Sequence, residues 1–238
     1  MSTTVHDMTT VGRRLKADVA VRLRRHWLIK GRTLRDFIRL RCVFIHVPKC
    51  GGVAITESLF GHRAGGHLMC RDYERIFQRI YGIDDFPSYY RFAFIRNPWD
   101  RLHSAYQFLR AGGMLPADRH FAEQHLARYA TFGDFVKRWV NEQNISLWLH
   151  FWPQVHFLQN AAGRIDLSFI GRFETMESDY NQVRERLGAG SPLLRRNSAR
   201  APVPYIDAYD DESRAIVARV YREDIARLDY TFAPGESP

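Results

Sequence analysis

Cysteine is scarce in this chain: there are three, and no two of them form a C-x-x-C pair. An odd number without that spacing argues against both a disulfide framework and a zinc site. We therefore expect Cys42, Cys50 and Cys70 to be free thiols in a reducing compartment, and we expect no bound metal.

Long apolar runs are missing as well. No stretch approaches the roughly 18 apolar residues of a membrane-spanning helix, and residues 1–11 lack the apolar core of a signal peptide. No segment is rich enough in Gly, Ser or Pro to act as a linker, so residues 41–238 are predicted to form a single domain. Together these absences predict a soluble, cytoplasmic protein.

Acidic residues are outnumbered by basic ones, 26 against 35, and the net charge is +9. Much of the excess lies in residues 1–40, a basic N-terminal segment in which apolar residues recur every four positions, as in a helix. This partly helical segment is expected to pack on the domain. The alternative is a basic amphipathic helix in peripheral contact with the inner face of an anionic membrane. The apolar stripe is formed by Val11, Leu15, Val19, Leu23 and Trp27.

Short β-branched and aromatic runs alternate with helical spacing along the rest of the chain. Strands that alternate with helices are typical of an α/β domain, in which a parallel sheet is flanked by helices. Strands are predicted at residues 42–47, 91–95 and 165–171, and helices at residues 56–60, 99–109 and 211–228.

The first predicted strand leads into a turn with two glycines, in the sequence VPKCGG. A Walker A sequence is absent, because Lys49 precedes the glycines instead of following them. Glycines let successive backbone N–H groups point into one concavity, and the following helix N-terminus favours an anion. The unit is therefore either a cradle for phosphate or sulfate, or a tight turn with a surface lysine.

The second predicted strand leads into the sequence RNPWDRLHSAY. Arg96 stands at the carboxyl end of the strand, where ligands bind in open α/β sheets. Asn97-Pro98 suit the cap and the first position of the helix that follows. Ser104, on that helix, would add a hydroxyl to the Arg96 guanidinium at a second phosphate. Arg101 is expected to be a surface or ion-paired residue instead.

The two motifs, in this order, resemble those of the carbohydrate sulfotransferases that use 3′-phosphoadenosine 5′-phosphosulfate (PAPS), including the Golgi glycan 2-O-sulfotransferases and bacterial relatives. VPKCGG is similar to the family's 5′-phosphosulfate loop, and FIRNPWDRLHSAY to its 3′-phosphate motif. The resemblance extends from Cys42 to Phe232, through HFWPQ and FIGRFE. It implies a P-loop-NTPase-like fold, with PAPS as the sulfuryl donor and no metal.

The resemblance also implies the donor contacts. Lys49 would bind the 5′-phosphosulfate and stabilise the leaving phosphate, while Arg96 and Ser104 would hold the 3′-phosphate. A basic stretch before the last helix would close over the nucleotide. The whole implied set is Lys49, Cys50, Gly51, Gly52, Val53, Ala54, Arg96, Ser104, Arg196, Asn197 and Ser198.

The first loop departs from the family pattern at Val53-Ala54, where Thr or Ser is common. Backbone N–H groups and Thr56 would then have to replace the missing hydroxyl contacts. The thiol of Cys50 lies in the predicted cradle, so we expect its pKa to be lowered.

Sulfuryl transfer by in-line displacement needs a base that removes the acceptor's proton, and histidine suits that task near neutral pH. The pair Gly66-His67 matches the Gly-His pair that carries the base in the glycan 2-O-sulfotransferases, so the resemblance implies that His67 is the base. Asp72 or Glu74 would orient its imidazole. His150 and Trp152 are candidates for the acceptor site.

Two other histidines are expected to have no catalytic role. His46 lies in the first predicted strand and is expected to be a core residue with its hydrogen bonds satisfied. His103 points away from Ser104 on its predicted helix and is expected at the surface.

The acceptor is predicted only as a hydroxyl-bearing molecule. The resemblance implies a glycan or a glycolipid, and no nucleic acid partner is expected. Two alternatives stay open. One is a protein of the same fold that binds a nucleotide or polyanion without transfer, and the other is a P-loop-like kinase. The missing Walker sequence argues against the kinase.

Overall fold

The computed structural model describes residues 32–63, 66–194 and 204–233. The predicted stripe from Val11 to Trp27 lies outside these residues, and so do Arg196, Asn197 and Ser198. Within them, no helix has both the length and the apolar character needed to cross a membrane.

Three parallel strands form the sheet, in the order β1 (Cys42–Ile45), β2 (Tyr90–Ile95) and β3 (Phe169–Arg172). The register places Ile45 opposite Ala93 and Ile95 opposite Arg172. Every residue of β1 is buried, and so is all of β2 except Tyr90. Burial on both faces is what continuous apolar runs require, and the α/β prediction is confirmed.

Helices cover the sheet and extend beyond it. A first helix, α1, precedes β1, and two more lie between β1 and β2. The others follow β2 and β3, with short 3₁₀ turns between some of them. Their bounds are α1 Arg32–Leu40, α2 Gly52–Phe60, α3 Cys70–Tyr81, α4 Pro98–Arg110, α5 Pro116–His125, α6 Phe132–Trp139, α7 Val155–Leu158, α8 Met176–Leu187, α9 Asp211–Val220 and α10 Arg222–Leu228.

The core has two parts. One surrounds the sheet, where the rings of Phe44 and Phe92 stack with centroids 5.1 Å apart. The other lies among α4, α6 and α9, where Phe135 stacks on Tyr106 at 4.8 Å and Val217 is fully buried. The carboxyl ends of β1 and β2 therefore sit on a rigid base, a suitable position for a binding site.

The predicted third strand is shifted. Ile165 forms an isolated antiparallel bridge with Gln159, so it cannot begin a strand parallel to β2. The backbone N–H of Ser168 donates to the Arg91 carbonyl at 2.7 Å, and regular pairing begins at the next residue, Phe169.

The prediction of one C-terminal helix over 211–228 is wrong, because the chain turns at Tyr221 between α9 and α10. Val217 packs in the core among the helices, whereas Leu228 packs in the core around the sheet. A single straight helix would not place these two residues in the two separate parts of the core. The buried Tyr221 hydroxyl donates to the Phe151 carbonyl at 2.7 Å and fixes the turn.

Candidate functional site

The loop after β1 forms a concavity with an unusual backbone. Lys49 and Gly51 both lie in the left-handed region, at φ 68° and 76°. For lysine this conformation costs about 1–2 kcal/mol, and strain of this kind concentrates at functional sites. Gly52 then begins α2, so that the helix N-terminus faces the same loop. Backbone N–H groups and the helix dipole thus favour an anion here.

Both glycines of this loop are needed for close packing. A Cβ on Gly51 would lie 1.9 Å from Cε of Met176, and a Cβ on Gly52 would lie 2.1 Å from the His46 ring. The loop is therefore held between the start of α8 and the residue that follows β1.

Lys49 brings a positive charge to this loop. Its Nζ lies 3.9 Å from the centroid of the Phe108 ring, and no carboxylate pairs with it among the described residues. Burial lowers the pKa of Lys49 to about 8, and the nearby charge of Arg96 acts in the same direction. An anion that enters the loop would therefore stabilise the charged form of this partly desolvated ammonium group.

Arg96 follows β2 directly and lies beside the first loop. Its Nε and Nη2 donate to the Asp100 carboxylate at 2.7 and 2.8 Å, and its Nη1 donates to the Lys49 carbonyl at 3.2 Å. The guanidinium also stacks over Phe173 at 4.0 Å. These contacts use three of its five N–H groups, so a phosphate would meet a guanidinium whose orientation is already fixed.

The helix after Arg96 begins as predicted. Asn97 Oδ1 accepts from the Trp99 N–H at 3.1 Å, and Pro98 occupies the first turn of α4. The Asn97 side-chain amide also donates to the Thr231 carbonyl at 2.8 Å, which ties this cap to the C-terminal segment. Ser104 lies in the second turn of α4 and is half-buried.

Two residues of α4 lie deeper than the sequence predicts. Arg101 is 1% exposed, and its guanidinium donates to the carbonyls of Pro48, His150 and Trp152, so the expectation of a surface or ion-paired residue is wrong. His103 is half-buried, packed edge-on against another ring, and not fully at the surface. Arg101 joins the first loop to the segment that carries the two acceptor candidates.

Gln154, which the sequence did not single out, connects the two loops. It is fully buried, and its Oε1 accepts from the backbone N–H of Arg96 at 3.0 Å and from Cys50 Sγ at 3.4 Å. Its Nε2 donates to the Arg96 carbonyl at 2.8 Å. The sequence signal that could have identified Gln154 is its position in HFWPQ, one of the stretches on which the family resemblance rests.

The side chain of Cys50 turns towards the buried Gln154. The thiol is buried, and burial raises its pKa to about 12. The expectation of a lowered thiol pKa is therefore wrong, because desolvation outweighs the positive charges of Arg101 and Arg96. Thr56 is also fully buried and donates to the Val53 carbonyl at 3.2 Å, so its hydroxyl does not replace the missing loop hydroxyls.

His67 lies next to this loop with its imidazole oriented by the backbone. Its Nδ1 is 2.9 Å from the His46 carbonyl oxygen. Because a carbonyl only accepts, Nδ1 carries a proton, and in the neutral ring Nε2 therefore carries the lone pair that a base requires. The expected orienting carboxylates contact other groups: Asp72 accepts from the Met69 N–H, and Glu74 accepts from the Ala161 N–H.

Three histidines pack together around this position. The His67 ring lies 4.3 Å from that of His46 and 6.0 Å from that of His150. Burial lowers the pKa of His46 well below its usual value and that of His150 to about 3, so both are neutral at pH 7. Within the described ranges, no three histidine, cysteine or carboxylate side chains form a group suited to a metal ion.

His46 departs from the expectation of a satisfied core residue. It is buried, as expected, but its Nδ1 has no hydrogen-bond partner in the part of the chain that the structure describes. The same holds for Nδ1 of His150, which lies 3.9 Å from Asp118, too far for a hydrogen bond. Unsatisfied buried nitrogens favour the neutral rings found here.

Aromatic rings surround the acceptor candidates. The Phe108 ring contacts both the Lys49 ammonium, 3.9 Å from the ring centroid, and the His150 ring, 5.0 Å away. Trp152 is half-buried and donates from Nε1 to the Ser146 carbonyl at 2.9 Å. The structure thus gathers Lys49 and His150 near His67, and it places Arg96 against the Lys49 loop.

Curated proteins match part of the chain. Carbohydrate sulfotransferase 14 of mouse and of human are each 30% identical over 109 residues, which cover 41% of this chain and 28% of their own length. The zebrafish (Danio rerio) protein of the same name is 30% identical over 115 residues, 42% of this chain and 30% of its length. The chain therefore matches less than a third of the length of these relatives. No solved structure matches it significantly.

A family model gives a longer match. The model described as the sulfotransferase family matches residues 39–231, which contain the three strands, both loops and the histidine group. Because this match covers most of the chain, the chain belongs to the sulfotransferase family.

Proposed function

We propose that this protein transfers the sulfuryl group of PAPS to a hydroxyl of a carbohydrate acceptor, with His67 as the base. When bound, PAPS would supply an activated sulfuryl group with a phosphate as leaving group. Lys49 and the N–H groups of the first loop would hold the 5′ end, while Arg96 and Ser104 would hold the 3′-phosphate.

The observation that carries this proposal is the contact between the two loops. Arg96 Nη1 donates to the backbone carbonyl of Lys49 at 3.2 Å, and the charge of Arg96 lowers the pKa of Lys49, so the cationic groups from two adjacent strand ends lie close together. A single nucleoside that carries separate 3′- and 5′-phosphate groups matches that arrangement, whereas a single phosphate would use only one loop.

The roles of the chain's residues follow from their protonation. His67, with its proton on Nδ1, can accept the acceptor's proton at Nε2. Lys49 can neutralise charge that develops on the leaving phosphate, because its ammonium lies in a partly desolvated position. Neutral His46 and His150 add no positive charge beside His67. Sulfuryl transfer resembles phosphoryl transfer in relying on positioning and charge stabilisation.

The carbohydrate acceptor is proposed from two features. The names of the matched relatives specify carbohydrate sulfotransferases. The ring of Trp152 and that of Phe108, near His150, provide the apolar faces that sugar rings pack against.

Calorimetry with the product nucleotide, 3′-phosphoadenosine 5′-phosphate (PAP), tests the donor site. We expect PAP to bind and ATP to bind far more weakly. Lys49→Met and Arg96→Met should each weaken PAP binding about 10- to 100-fold, the effect of losing one charge-assisted contact.

Arg79→Met is the matched control, because Arg79 is an exposed arginine in the last turn of α3. It should leave PAP affinity unchanged. Equal binding of ATP and PAP, or normal affinity in both site variants, would refute the proposed donor site. Transfer of radiolabelled sulfate from PAPS to a panel of oligosaccharides then tests the acceptor class.

The pKa of Lys49 predicts a pH dependence of donor binding. The anion favours the protonated lysine, so affinity should be highest below pH 8 and should decline as the pH rises through that value. Between pH 7 and pH 9 the protonated fraction of the unliganded lysine falls about tenfold, and PAP affinity should fall by about the same factor.

Lys49→Arg separates this effect from other titrations, because guanidinium stays protonated over the whole range. That variant should bind PAP with little change between pH 7 and pH 9. Lys137→Arg, at a surface lysine paired with Asp210 and Glu212, should keep the decline. Equal pH profiles for the Lys49→Arg variant and the unaltered protein would exclude Lys49 as the source.

A second candidate function is binding of the nucleotide without transfer. It is favoured by Val53-Ala54, which offer no hydroxyl to the donor, and by the buried hydroxyl of Thr56. Tight PAP binding together with no sulfate transfer to any acceptor in the panel would support it.

A further inference from the structure

The side-chain amide of Gln154 holds the backbone of Arg96 from both sides. It accepts from the Arg96 N–H at 3.0 Å and donates to the Arg96 carbonyl at 2.8 Å. This is the pair of bonds that a neighbouring strand would offer, at a position just beyond the last β2–β3 pair, Ile95 and Arg172. The direction in which Arg96 leaves the sheet is therefore set by Gln154.

The same amide oxygen also contacts the first loop. Cys50 Sγ lies 3.4 Å from Oε1 of Gln154, and Cys50 stands between Lys49 and Gly51, the two residues with a left-handed backbone. A shift of the first loop therefore changes the position of an atom to which the Arg96 N–H is bonded.

The backbone that carries the Gln154 side chain is held in place from the C-terminal part of the chain. The backbone N–H groups of Gln154 and Val155 donate to the two carboxylate oxygens of Asp224, at 2.8 and 2.9 Å. Gln154 and Asp224 are both fully buried. Because Gln154 is anchored in this way, a displacement of one of its hydrogen-bond partners is passed on to the others with little loss.

We infer that Gln154 is a positioning residue that couples the two phosphate-binding loops, so that binding of a 5′-phosphate at one loop strengthens binding of a 3′-phosphate at the other. This inference rests on the proposed function, since it assigns the two phosphates of the donor to the two loops. It adds that the nucleotide is recognised as a unit and not as two independent anions.

The test compares four ligands by calorimetry or by competition: PAP, 5′-AMP, 3′-AMP and adenosine. The coupling factor is the product of the Kd values for 5′-AMP and 3′-AMP, divided by the product of those for PAP and adenosine. We expect a factor of about tenfold in the unaltered protein, within the usual range for coupled sites. In Gln154→Met it should fall to about two- or threefold, since the direct Arg96–Lys49 bond remains.

Gln159→Met is the control, because Gln159 is a neighbouring glutamine whose side-chain amide donates to the exposed Glu223 at 3.4 Å. It should leave the coupling factor unchanged. A merely structural role for Gln154 would weaken all four ligands alike and leave the factor intact, and that result would overturn the inference. So would a factor near one in the unaltered protein.

If Gln154→Met does not fold, Cys50→Ala removes the contact between the Gln154 amide and the first loop, together with the 3.6 Å contact from Cys50 Sγ to the Pro48 carbonyl inside that loop. It should reduce the coupling factor severalfold, and an unchanged factor would again overturn the inference. Failure of PAP to bind the unaltered protein is a different result, because it would refute the proposed function together with this inference.

Discussion

Arg101→Met is expected to destabilise the folded protein by about 3–5 kcal/mol. Arg101 is 1% exposed and donates to three backbone carbonyls, those of Pro48, His150 and Trp152. Methionine fills a similar volume but donates nothing, so these acceptors lose their partner. The buried carboxylate of Asp224 would also lose a stabilising positive charge. Urea denaturation followed by circular dichroism measures the change in the free energy of unfolding.

Arg110→Met provides the comparison on the same helix. Arg110 is exposed in the last turn of α4, and its guanidinium only approaches the Tyr106 ring at 6.0 Å. Its replacement should change stability by less than about 0.5 kcal/mol, as for most surface positions. A similarly small loss for Arg101→Met would show that the three carbonyl contacts contribute little to the fold.

His67→Ala is expected to lower kcat for sulfuryl transfer by about 10²–10⁴-fold, the usual contribution of a general base. Its effect on donor affinity should be small, because the proposed donor contacts come from the two loops and not from the His67 imidazole. The measurement pairs radiolabelled transfer kinetics with PAP calorimetry on the same preparation.

The matched control is His120→Ala, an exposed histidine on α5. It should leave both quantities unchanged. Turnover close to that of the unaltered protein in His67→Ala would exclude His67 as the base. Equal losses of turnover and PAP binding would instead indicate a role in the shape of the site.

The features predicted best from the sequence are the local ones. A buried strand followed by a glycine turn, or by Asn97-Pro98, has its strand, cap and first helical turn encoded within a few residues. These units predict the α/β class, the parallel sheet and the position of the two loops. The pairing of Gly66-His67 with a base is still a prediction, although the structure supplies the orientation that a base needs.

The features predicted worst depend on chain segments that are far apart in sequence. Arg101 looks like any charged residue in a first helical turn until the segment at residues 150–152 folds over it. Cys50 sits in a loop with positive charge, but its side chain points into the protein towards Gln154. Sequence spacing cannot distinguish these directions, because they are set by tertiary packing.

The bond from Asn97 to the Thr231 carbonyl has a consequence for synthesis of the protein. A nascent chain that has emerged as far as Leu187 contains all three strands, but it lacks Asp224 and the carbonyl that Asn97 needs. The sheet can form at that stage, while the proposed donor site cannot be completed until the last helix and residues 229–232 have left the ribosome. The order of translation therefore separates folding of the sheet from completion of the proposed site.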